Sequence, residues 1–119
     1  MATINLTKGG FLRRVADYEQ NIDNWKFLGD KPALIDFHAK WCAPCRSLSP
    51  IIDELAEEYH GKVDIYKVNV DDEPELTSLF NIRTIPTLVF IPMNDMPHIV
   101  SGAYPKQEIS HAIDTILLK

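Results

Sequence analysis

The strongest constraint on the fold is a three-part pattern between Pro32 and Val70. An apolar run, Ala33 to Ala39, follows Pro32 and reads as a buried strand. Next, Pro44 to Tyr59 shows helical periodicity through Leu48, Ile51, Ile52, Leu55 and Ala56, with Gly61 just past its end. Pro50 falls inside that segment and is expected to kink it. Val63, Ile65, Val68 and Val70 then make a second strand. Strand, helix and strand in this order imply parallel pairing with a crossover.

The flanks extend the pattern. Thr7 to Asp17 is expected to form a short helix, with Thr7 as its N-cap and Phe11, Leu12, Val15 and Ala16 on one face. Asp17 to Lys31 is polar apart from Trp25 and Phe27, and reads as a loop or irregular helix. The two aromatics are expected to pack and anchor a longer entry to the strand, the alternative being a partner surface. Pro74 suits the first turn of a short helix from Glu73 to Phe80. After Pro86 comes a third strand, Thr87 to Ile91. Pro92 to Pro97 makes a turn, and His98 to Ser101 a fourth strand running into Gly102. Lys106 to Leu118 closes the chain as an amphipathic helix. The order is helix, strand, helix, strand, helix, hairpin, helix. It predicts an α/β fold, a central mixed β-sheet flanked by helices on both faces.

At 119 residues one domain is the default, taken here as 1–119, with 1–31 an N-terminal strand/helix and loop extension and 32–118 the core. The formal charge of −5 gives no electrostatic footprint for nucleic acid or an anionic membrane. No apolar run approaches the ~20 residues that span a bilayer. Met1 to Gly10 lacks the apolar core of a signal peptide, and no such region follows Arg13-Arg14. The expected location is the cytoplasm, or the periplasm if a signal peptide has been removed. Nothing calls for an obligate oligomer, so a monomer is expected.

The chain has two cysteines, Cys42 and Cys45, set three positions apart. A secreted disulfide framework would spread more of them along the chain. A close pair reads as a redox centre or as half of a zinc site. Zinc usually takes four ligands; there is no second such pair, and His38, His60, His98 and His111 show no ligand spacing. No metal is therefore expected. Trp41-Cys42-Ala43-Pro44-Cys45 falls where the first long strand meets its helix. In open α/β sheets, functional groups gather at that end of a strand. Cys42 would stand at the helix N-terminus, where partial positive charge and free N–H groups favour a thiolate. Asp36 is a charge in the middle of an apolar strand. Burial raises a carboxyl's pKa, so it reads either as a proton carrier or as a group satisfying backbone donors.

The segment from Asp36 to Cys45 resembles the active-site segment of thioredoxins, and Arg83-Thr84-Ile85-Pro86-Thr87-Leu88 resembles their cis-proline segment. Pro50, Lys67, Asp71, Phe80 and Gly102 also fall where the family pattern places such residues. The likeness runs from about Pro32 to Leu118 and implies a thioredoxin fold. It implies a thiol–disulfide oxidoreductase that reduces protein disulfides through Cys42-Ala43-Pro44-Cys45, whose only redox group is the Cys42–Cys45 disulfide, without a cofactor. Cys42 would be the nucleophile and Cys45, more buried, the resolving thiol. Asp36 would serve as base to Cys45, with Lys67 as the matching cation on the neighbouring strand or else an exposed strand lysine. Trp41, Ala43, Pro44, Ile85 and Pro86 would shape substrate docking, with Pro86 cis and the Ile85 backbone offered for strand-like pairing. Partners would be disulfide-containing proteins and a recycling enzyme such as thioredoxin reductase. The alternatives are a periplasmic oxidase or isomerase, or a non-catalytic binding module of the same fold. Such modules typically lose a cysteine, the cis-proline or the acid, and this chain keeps all of them.

Two departures stand out. Ala43 replaces the glycine common before that proline, so the position should not need a left-handed backbone. His38 replaces an aromatic, and either packs at the strand end or acts on the thiolate.

Overall fold

The computed structural model describes residues 3–119. In chain order its elements are β1 (Thr3–Asn5), α1 (Lys8–Arg14), β2 (Ala33–His38), α2 (Ala43–Glu58), β3 (Asp64–Asn69), α3 (Pro74–Leu79), β4 (Thr87–Ile91), β5 (His98–Ser101) and α4 (Lys106–Ala112). A π-helical stretch, Ile113–Leu117, continues α4. The five strands form one mixed sheet in the order β1-β3-β2-β4-β5. β2 lies at its centre, parallel to β3 and antiparallel to β4. The expected crossover is present, with α2 connecting the parallel pair.

Period-two alternation along β2 assigns its side chains to two cores. Ile35 and Phe37 join Phe11, Val15, Leu76 and Phe80 under α1 and α3. Leu34 joins Leu48, Ile52, Leu55, Ile109 and Ile113 under α2 and α4. Helices thus cover both faces, as expected. The same alternation turns Asp36 toward the α2 side.

Three local expectations are corrected. Thr7 does cap α1, accepting from Gly10 N–H at 3.1 Å, but the helix stops at Arg14 rather than Asp17. The amides of Val15 and Ala16 both donate to Phe11 O, and Val15 O is taken by Leu28 N–H at 2.8 Å, so the chain turns out of helical register. Second, the chain opens with a strand, β1, ahead of the first helix, where the element order above begins with the helix. It is a three-residue strand whose pairing with β3 is entirely long-range. Third, the last helix changes character at Ile113, and Leu118 N–H closes it by donating to Ile113 O five residues back.

Asp17 to Lys31 holds no regular element. Asp17 Oδ1 accepts from the amides of Glu19 and Gln20, a side-chain-capped turn. Trp25 and Phe27 pack against the α1/α3 core as expected. Phe80 is the hub there: its ring meets Phe11 at 5.7 Å, Phe37 at 5.7 Å and Trp25 at 6.3 Å, each edge-on. Such pairs add to area burial. Phe80→Ala should cost about 3–5 kcal/mol in urea denaturation and shift the Trp25 emission to the red. A loss below about 1 kcal/mol would contradict this central placement.

Candidate active site

β2 ends at His38, and the chain turns through Ala39, Lys40 and Trp41 before entering α2. Cys42 N–H closes the turn on Ala39 O at 3.3 Å. Cys42 is the N-cap of α2, and its Sγ accepts the Cys45 N–H at 3.2 Å. Sulfur here takes the place that a Ser or Asp oxygen usually holds at a helix start. Ala43 and Pro44 occupy the first helical positions, where the missing proline N–H costs nothing. Among the described residues Asn81 is the one non-glycine with positive φ, so Ala43 needs no left-handed backbone.

Cys42 and Cys45 are joined as a disulfide, Cα to Cα 5.2 Å apart. They pack with Ala39, Val70 and Ile85 in a small apolar cluster of their own. Both are nearly sealed, at 5% and 3% exposure, so burial hardly separates nucleophile from resolver. What separates them is position: Cys42 Sγ takes the helix N-terminal amide, and it lies 3.8 Å from the carbonyl oxygen of Ile85.

The Ile85–Pro86 bond is cis. Pro86 is buried, and its carbonyl accepts from Gly102 N–H at 2.9 Å. Thr87 Oγ1 donates to Thr84 O at 2.6 Å, tightening the same segment. On the opposite flank, Trp41 is 68% exposed. It is held by donating its Nε1–H to Asp71 Oδ2 at 2.9 Å. The structure thus brings Trp41, Cys42, Ala43, Pro44, Cys45, Ile85 and Pro86 into one surface region.

Asp36, on the strand that leads into the cysteine turn, is 2% exposed, and its Oδ1 has no hydrogen-bond partner. Burial pushes its carboxyl up from 3.8 to about 7, with the Lys67 ammonium opposing and Asp53 assisting. Lys67 is half-buried rather than an exposed strand lysine, and sits opposite Asp36 in the β2–β3 register. Its ion pair is with Asp53 at 2.8 Å, and it also donates to Ser49 Oγ at 2.8 Å. Lys67 therefore acts on Asp36 through space while α2 holds it. Ser49 and Asp53 are not among the residues that the sequence singles out. Their spacing of four on α2 was the available signal, since it sets both on one helix face.

His38 follows Asp36 on the same side of β2. It lines a polar cleft of about 300 Å³ with Lys40, Lys67, Asn69 and Asp72. Burial and the Lys67 ammonium hold its pKa below the ordinary value, against the pull of Asp72. Among the described residues no three His, Cys, Asp or Glu side chains are grouped to hold a metal ion. No helix among them is long and apolar enough to cross a membrane.

The family model for thioredoxin matches residues 11–115. The chain belongs to the thioredoxin family. Thioredoxin of Borreliella burgdorferi is 42% identical over 99 residues, covering 83% of this chain and 84% of that protein. Thioredoxin 1 of Nostoc sp. is 42% identical over 85 residues, covering 71% and 79%. The chloroplastic M-type thioredoxin of Spinacia oleracea is 39% identical over 100 residues; this chain is covered to 82% but spans only 55% of that relative's length. Family and cysteine pair together make the chain a thiol–disulfide oxidoreductase, a protein-disulfide reductase carrying a redox-active disulfide. The oxidase, isomerase and binding-module alternatives are not favoured. The thioredoxin fold accounts for the mixed sheet and its two helical layers.

The buried carboxyl makes stability pH-dependent. Between about 4 and about 7, folded Asp36 keeps a proton that the unfolded chain has released, so stability falls as pH rises through that window. Asp36→Asn should raise the urea midpoint above pH 7, by a few kcal/mol in stability, and should give no such gain below pH 4. An equal gain at both extremes would show that ionisation is not its cause.

Proposed function

We propose that Cys42 is the attacking thiol and Cys45 the resolving thiol in the reduction of protein disulfides. The Cys42 thiolate attacks one sulfur of a substrate disulfide. A Cys42–substrate disulfide forms, and the other substrate sulfur leaves as thiolate and takes a proton. Cys45 gives its proton to Asp36, and its thiolate attacks Cys42 Sγ. The Cys42–Cys45 disulfide forms and the second substrate thiol departs, so two electrons have passed to the substrate. A separate dithiol reductase, such as a thioredoxin reductase, returns two electrons to the pair. The cycle uses no cofactor.

The observation that carries this assignment is the N-cap place of Cys42. A helix N-terminus stabilises negative charge on the atom its free amides face, and the Cys45 amide faces Cys42 Sγ. The same amide serves the mixed disulfide only weakly, so thiolate at Cys42 is favoured in both the attacking and the departing role. Asp36 suits its task because a carboxyl near pH 7 exchanges protons where the enzyme works. Lys67 keeps that value from rising further. Trp41, Ala43, Pro44, Ile85 and Pro86 frame the docking surface, where the Ile85 carbonyl beside Cys42 is offered to an extended substrate backbone.

The chain acts as a single domain over 1–119 and as a monomer in the cytoplasm, where a reducing poise keeps the dithiol charged. Its acidic balance of −5 argues against nucleic acid or anionic membrane as partner. The assignment is tested by trapping. Cys45→Ser should accumulate mixed disulfides with substrate proteins, visible on non-reducing gels and released by dithiothreitol. Cys42→Ser should trap few. Equal trapping by both would reverse or erase the distinction.

A further inference from the structure

The segment after β5 lies against the docking surface. Gly102 N–H donates to Pro86 O at 2.9 Å, which seats Gly102 directly beside the Ile85–Pro86 bond. A Cβ built on Gly102 would lie 3.4 Å from the Tyr104 ring. Tyr104 therefore covers Gly102 at the margin of the platform, with 39% of its surface exposed. Gly102 has φ of +113°, a conformation L side chains rarely adopt.

Tyr104 is also one wall of an apolar cleft of about 260 Å³ between β5 and α4. Leu88, Phe90, Val100, Ile109 and Ala112 form its other walls, and Glu108 also lines it. A cavity of about 150 Å³ lined by such groups holds a benzene ring, so this one accommodates a Leu or Phe side chain. None of these residues takes part in the thiol chemistry.

We propose that this cleft is a substrate subsite that selects disulfides by the residues beside them. A polypeptide laid along Ile85–Pro86 continues past Gly102 and over Tyr104. A large apolar side chain a few residues from its reacting cysteine enters the cleft, and an adjacent Lys or Arg meets the Glu108 carboxylate. The proposal rests on the docking role given above to Ile85 and Pro86. Continuity with that platform and the single carboxylate at the cleft both favour a substrate chain with a basic residue. A second copy of this chain, itself at −5, is disfavoured by the same charge.

The test compares two synthetic peptides, each with one disulfide, carrying either Leu-Lys or Ala-Ala at the positions following the cysteine pair. The wild-type protein should show a KM about tenfold lower for the Leu-Lys peptide, with kcat little changed. Tyr104→Ala and Ala112→Phe, the second filling the cleft from another wall, should each abolish that preference. Glu108→Gln should remove the part due to Lys. Reduction of a small aromatic disulfide, 5,5′-dithiobis(2-nitrobenzoate), should stay within about twofold in all of them. Equal KM for the two peptides in the wild type, or a preference that survives both Tyr104→Ala and Ala112→Phe, would overturn the subsite while leaving the oxidoreductase reading intact. Loss of preference as protein concentration rises, with dimer formation in gel filtration, would assign the cleft to a second copy and overturn it as well. Failure of the wild type to reduce the small disulfide would instead strike the oxidoreductase reading itself.

Discussion

A carboxyl group closed between a β-sheet and the helix packed on it is costly when ionised, and the site depends on how this fold contains that cost. Asp36 occupies the position of β2 after Leu34 where alternation would put another core residue on the α2 side. Its Oδ1 finds no partner. An apolar residue there would pack without penalty. The surrounding structure moderates the carboxyl without neutralising it. Lys67 stands opposite in register, but its ammonium is bonded to Asp53 and Ser49 of α2. The result is a carboxyl raised toward neutral pH by burial rather than one fixed in an ion pair. The Lys67–Asp53 pair also stitches α2 to β3, so the crossover helix that presents the cysteines is tied to the cation that opposes the upward shift of Asp36.

Around that group, each layer supplies one part. The end of β2 and the start of α2 place Cys42 where helix amides converge. The turn into β4 brings the Ile85 carbonyl close to Cys42 Sγ, and the turn out of β5 braces Pro86 through Gly102. The far face of the sheet carries no chemistry. Phe80, Phe11, Phe37 and Trp25 fill it with crossed rings, and the irregular Asp17–Lys31 segment is anchored there. The strand holding Asp36 is thereby backed by a closely packed layer, which keeps the site's groups in place while S–S bonds form and break.

Much of this was legible in the residues because local signals and tertiary needs coincide. Thr87–Ile91 and His98–Ser101 emerged with the expected bounds, since Pro86, Pro92, Pro97 and Gly102 bracket them chemically. Cys42, Cys45, Asp36 and Pro86 each interrupt the pattern around them, so they announced themselves. What stayed hidden depends on contacts between distant segments. The N-terminal strand is too short to show a period, so the bounds of β1 and its parallel pairing come only through β3. The early end of α1 is decided by Leu28 claiming the Val15 carbonyl. Asp53 and Ser49 look like ordinary polar positions on a helix surface until β3 brings Lys67 to them. The near-equal burial of the two cysteines is a property of the closed cluster with Ala39, Val70 and Ile85, which no spacing reveals.

The central claim is that Asp36 is held as a neutral-range acid by burial. It is tested most directly by following the Asp36 side-chain carboxyl carbon with site-assigned carbon-13 NMR across pH in the protein with its disulfide intact. The account predicts a midpoint of about 7, moving further up in Lys67→Met as the opposing cation is removed. A midpoint near the ordinary 3.8, unmoved by that substitution, would contradict it.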